Sequence, residues 1–79
     1  MLSRDELRDT FQYVLGVVLG IPEAEVELNA CLQSDLAIEE EDFEEIAAQL
    51  SQSLGRAVLA SDLFDEDITV EQAVDILSS

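Results

Sequence analysis

Three observations predict an all-α chain, an antiparallel bundle of four helices in which the third is short. Apolar residues recur at helical spacing in three segments, two Ser/Thr-x-x-Glu/Gln capping boxes stand ahead of apolar runs, and glycines fall where helices should stop. At 79 residues the chain makes one domain, residues 1–79. A domain of this size buries only about 60% of the surface its unfolded chain exposes, so its stability margin is narrow.

Ser3-x-x-Glu6 opens the first helix, and Leu2 with Leu7 has the spacing of a hydrophobic staple. Leu7, Phe11, Val14, Leu15 and Val18 then share one face, until Gly20 followed by Pro22 ends the helix. Residues 20 to 38 form a long connection, pinned to the core by Val26, Leu28, Leu32 and Leu36. A second helix is predicted from about Glu39 to Leu54, with Phe43, Ile46, Ala47, Leu50 and Leu54 as its buried stripe and Gly55 just past its end. Its acidic first turn suits the positive end of the helix dipole. Ser61 to Asp65 reads as a short helix or turn with Leu63 and Phe64 facing inward. Thr69-x-x-Gln72 is the second capping box, and the last helix turns Val70, Ala73, Val74 and Leu77 to the core.

Charge excludes several functions. Nineteen carboxylates against three arginines and no lysine give a net charge of −16. Nucleic-acid affinity comes from neutralising phosphates with basic side chains, so that class is set aside, and anionic membranes are disfavoured on the same ground. The expected partners are proteins with basic surfaces, met quickly and in a salt-sensitive way. Since 48% of residues are hydrophobic and fall in register, the acidity does not mean disorder. Histidine is absent, which removes the commonest general base and transition-metal ligand together. The single Cys31 cannot form an internal disulfide. The apolar stretch from Tyr13 to Ile21 is too short to span a bilayer, and the first six residues lack the basic-then-apolar order of a signal peptide. A cytoplasmic monomer is the expectation.

The segment Asp35-Leu36-Ala37-Ile38-Glu39-Glu40-Glu41-Asp42 resembles the Asp-Leu-Gly-x-Asp-Ser-Leu-Asp fingerprint of the acyl carrier protein family. Leu19-Gly20-Ile21 is similar to the family's Leu-Gly-Val/Ile at the close of its first helix, and Ile68-Thr69-Val70 to the start of its last. Glu25-Val26, Asn29-Ala30, Asp42-Phe43, Glu45-Ile46 and Leu50 also fall in order. The resemblance implies the four-helix carrier fold and a docking role for the acidic second helix. The departures cluster. Ala37 replaces a glycine, Glu40 replaces the serine that holds the phosphopantetheine arm, and Glu41 replaces the apolar residue that helps to seat the helix on partner enzymes. A carboxylate cannot accept the arm by the same phosphodiester chemistry, so no cofactor is expected.

The resemblance thus implies a non-enzymatic docking or regulatory module for enzymes of fatty-acid, polyketide, lipopolysaccharide or related acyl metabolism. Glu39, Glu40, Glu41, Glu44 and Glu45 would meet the basic surface of such an enzyme. Glu40 has two readings: a charge that mimics the arm's phosphodiester, or one more acidic residue in a helix first turn. The carboxylate run from Glu39 to Glu45, six residues of seven, is either that docking face or simply solvated. A divergent true carrier modified at Ser34 or Ser61 is the alternative; each of these serines precedes Asp-Leu, and Ser34 lies before the second helix. A third reading is an acidic decoy that mimics nucleic acid. Hard cations would be held loosely at most, because Asp65-x-Asp67 lacks the glycine and terminal glutamate of an EF-hand loop. Cys31 has no neighbouring base or cation in sequence and reads as a small buried residue. Paired carboxylates are plentiful, but no cleft is evident that would tune two of them for catalysis.

Overall fold

Both capping boxes form. Ser3 Oγ accepts the Glu6 amide at 3.2 Å while the Ser3 amide donates to Glu6 Oε1 at 3.4 Å, and the helix they open, α1, runs Arg4–Leu19. In this computed structural model, which describes residues 2–78, three further helices follow: α2, Glu40–Leu54; α3, Ser61–Phe64; and α4, Val70–Ser78. A 3-10 turn at Glu23–Glu25 and an isolated bridge between Cys31 and Thr69 interrupt the connections, and no strand is present among the described residues. Gly20 and Gly55 close α1 and α2 in the left-handed conformation, with φ of 70° and 68°. At Thr69 the amide donates to Gln72 Oε1 at 2.9 Å, and Thr69 Oγ1 accepts the Gln72 amide at 3.1 Å.

The predicted apolar stripes become one core. Phe11 and Leu15 from α1, Ile46 and Leu50 from α2, Leu63 from α3, and Val70 and Val74 from α4 are all buried in one cluster. Helix α1 packs against both α2 and α4. Val18 and Leu54, at the ends of their stripes, are only partly buried. Phe64 is half-buried and sets its ring 5.6 Å from that of Phe43, tilted by 44°, which joins α3 to the start of α2 through an aromatic pair.

Of the four residues expected to pin the long connection, Val26 and Leu32 are buried, whereas Leu28 and Leu36 are half-buried. Ile38 and Ile68 are also buried, so the connection and the approach to α4 each insert an isoleucine that periodicity did not mark. Backbone groups are satisfied across these two segments: the Leu32 amide donates to Ile68 O at 2.8 Å, Val70 to Ala30 O at 3.0 Å and Glu71 to Leu28 O at 2.9 Å. Gln12 adds a tie from α1, donating Nε2 to Val26 O at 2.8 Å.

The exit from α2 depends on one hydroxyl. Ser51 Oγ donates to Ala47 O at 2.7 Å and accepts the Val58 amide at 2.9 Å, folding the chain after Gly55 back along the helix. Replacing Ser51 with alanine leaves the Val58 amide without its acceptor, and the expected loss is about 1–2 kcal/mol, read as a lower midpoint in urea.

Candidate functional site

The acidic start of α2 is delivered by a tight turn. The Cys31 amide donates to Asp35 Oδ2 at 2.8 Å, while the amides of Asp35 and Leu36 both donate to Cys31 O at 3.0 Å. The Ile38 amide then reaches back to Leu32 O at 3.1 Å. To close this loop Ala37 adopts φ 55°, the sole positive φ of a non-glycine residue among those described. A Cβ in the left-handed region costs roughly 1–2 kcal/mol, so the turn is held by its hydrogen bonds and by the burial of Leu32 and Ile38 on either side. Glu39 follows in extended conformation, its amide donating to Asp42 Oδ2 at 3.3 Å, and Glu40 is the first residue of α2.

Glu39, Glu40, Glu41, Glu44 and Glu45 are all exposed, and none makes an ion pair among the described residues. Asp42 is half-buried and spent on the cap. Glu40 with Glu44, and Glu41 with Glu44 and Glu45, stand at three- and four-residue spacings where like charges repel. The helix dipole favours only those in the first turn. The arginines are elsewhere. Arg4 pairs with Asp75 and, at 4.0 Å, with Glu71; its hydrogen bond to Asp75 raises its own pKa. Arg8 lies 3.4 Å from Asp5 and 3.6 Å from Asp9, and Arg56 donates to Leu77 O at the end of α4.

The two alternative serines sit in different settings. Ser34 is in the turn before α2, where its amide donates to Asp67 Oδ1 at 3.3 Å and its hydroxyl also bonds that carboxylate. Ser61 is the exposed first residue of α3, its carbonyl accepting the Asp65 amide at 3.2 Å. Cys31, expected to be buried, is only half-buried, and its backbone pairs with Thr69 in an isolated bridge. Gln33 went unnoticed in the sequence, and Asp67 was weighed only as part of an incomplete EF-hand loop, yet both prove central to the loop. Gln33 donates its amide to Asp67 Oδ1 at 3.0 Å and its Nε2 to Phe64 O at 2.9 Å and Glu66 O at 3.3 Å. The Ser34 hydroxyl first, then the Gln33 amide, hold the Asp67 carboxyl below the usual aspartate range. Only the Asp-rich composition around them hints at such turns.

Among the described residues no three His, Cys, Asp or Glu side chains converge as metal ligands, and no helix is long and apolar enough to cross a membrane. An open groove of about 650 Å³ lies at the far end of α2, between Leu2, Leu7, Leu54 and Leu77, with Arg4 and Arg56 at its edge. Two of the three arginines thus line the pole away from Glu40, where Arg4 is paired with Asp75 and Glu71. Comparison of the chain with protein-family models gave no match, and neither did comparison with curated protein sequences.

Two measurements follow from the turn. Ala37→Gly removes the left-handed penalty while adding freedom to the unfolded chain, and should stabilise by about 0.5–1 kcal/mol in urea unfolding. Because the native pKa of Asp67 is depressed, its charge stabilises the fold above the ordinary value of 3.8, and that contribution is lost as pH falls through the lower native value. Wild type should therefore exceed Asp67→Asn in urea midpoint at pH 7, with the gap closing once pH drops below 3.8.

Proposed function

We propose that this chain is a serine-less relative of the acyl carriers, a non-enzymatic docking or regulatory module that presents α2 to the basic surface of an enzyme of acyl metabolism. The observation that carries the reading is the backbone before α2. The family's fingerprint has glycine where this chain has Ala37, and Ala37 keeps the left-handed conformation that glycine favours. Glu40 then opens the helix, and the fingerprint has the arm-bearing serine at this position of the sequence. An antiparallel bundle is consistent with Arg4, in the first turn of α1, pairing with Asp75 in the last turn of α4.

Glu39, Glu40, Glu41, Glu44 and Glu45 supply the docking charge. Being exposed and without an ion pair among the described residues, they attract arginine or lysine on another protein. With Glu41 in place of an apolar residue, this face gives steering and a fast, salt-sensitive approach, but little apolar anchoring.

Restoring the missing chemistry tests the register. The double variant Glu40→Ser with Glu41→Leu, incubated with coenzyme A and a broad-specificity phosphopantetheinyl transferase, should gain the mass of one phosphopantetheine group. Wild type treated in parallel should gain nothing. A folded double variant that stays unmodified beside a labelled ordinary carrier would sink the reading. A mass gain by the wild type would point to Ser34 or Ser61 and make the chain a true carrier.

A further inference from the structure

Tyr13 and Val17, one helical turn apart on α1, are 61% and 56% exposed. Beside them lies a shallow depression of about 230 Å³ that also takes in Gly16, Ile21 and Glu23. Gly16 lets the backbone after the helix come close, since a Cβ there would stand 3.0 Å from Ile21 O, and the depression lies beside this close approach. Glu6 and Asp9, both exposed, continue the outward stripe toward the start of α1 at helical spacing, and Glu23 closes its other end. Glu6 is engaged with the Ser3 amide and Asp9 lies 3.6 Å from Arg8, while Glu23 makes no ion pair among the described residues. A single exposed valine needs no account. An exposed aromatic and a β-branched side chain beside a notch, with carboxylates at both ends, have the make-up of an interface centre with a charged rim.

We propose that this face of α1 docks a basic amphipathic segment of another protein, its apolar anchor seated in the depression beside Tyr13, Val17 and Ile21 and its arginines or lysines over Asp9 and Glu23. Charge selects this occupant. A second copy of the chain brings a further net charge of −16, and an anionic membrane repels for the same reason. An arginine placed over the Tyr13 ring adds a cation–π contact. The surface is separate from the α2 face and stands whether or not the carrier reading holds.

Tyr13 is the sole tyrosine and the chain has no tryptophan, so its intrinsic fluorescence reports directly on this patch. The full chain carrying Glu40→Gln, Glu41→Gln, Glu44→Gln and Glu45→Gln, which removes four of the five docking charges of α2, is titrated with a synthetic amphipathic peptide of leucine and arginine. Tyrosine emission should change on binding, and added Val17→Glu should weaken affinity at least about tenfold, although it makes the face more negative. Tyr13→Ser, followed by calorimetry, should do the same and covers the case in which Val17→Glu does not fold. The proposal is overturned if affinity survives these changes, or if a serine–arginine peptide of equal charge binds as tightly. Concentration-dependent dimers in sedimentation that are lost in Val17→Glu would overturn it too, by making a second copy the occupant.

Discussion

The structure depends on a short backbone tie between the long connection and the approach to α4. Three amide-to-carbonyl bonds, from Leu32 to Ile68, Val70 to Ala30 and Glu71 to Leu28, fasten the long connection to the residues that lead into and open α4. Without them the buried backbone around Leu32 and Ile68 would lack partners, a cost comparable to the stability margin of so small a domain. Gln33 and Asp67 reinforce the tie with side-chain bonds. Once it is closed, Leu32 and Ile38 enter the core from either side of a single turn, and the chain must leave that turn through Ala37 into α2. The position of Glu40 is thus a consequence of a hydrogen-bonded loop rather than of α2 itself.

Charge distribution follows a second constraint. Three arginines cannot offset nineteen carboxylates, so their placement decides which surfaces stay uncompensated. Arg4 ties α1 to α4, Arg8 serves α1 alone and Arg56 satisfies a carbonyl at the end of α4. None reaches α2. Its outer face carries unrelieved like-charge spacing, a cost to the fold that is lessened by salt or by a basic partner. This is a physical reason for reading α2 as a surface meant for company, and it holds independently of any family likeness.

What could be read from the sequence was what depends on local chemistry. The boxes at Ser3 and Thr69, the stops at Gly20 and Gly55, and the stripes of α1, α2 and α4 each involve residues within four positions of one another, and all are found in place. The start of α2 differs by one residue, since Glu39 caps the helix and Glu40 begins it. What escaped notice depends on contacts between distant segments. Gln33 bonds residues more than thirty positions away, Ser51 catches the Val58 amide, and Ile38 is buried by a turn with no period to betray it. Cys31, read as buried, is half-buried in a segment that pairs with Thr69, far along the chain. The acidic candidate site was visible as composition, while the left-handed turn that aims it was visible only as an alanine standing where a carrier has glycine.

The two outward faces divide the work that binding requires. Charges alone raise the rate of encounter but hold a partner weakly, because exposed ion pairs are worth little and are screened by salt. Lifetime comes from apolar side chains that are desolvated in a packed centre. On α2 the position that could provide such an anchor is Glu41, so that helix can attract a partner without keeping it. On α1 the anchor is present in Tyr13 and Val17, beside a shallow depression. A partner that met both faces would gain speed from one and residence from the other. A partner that met α2 alone would exchange rapidly.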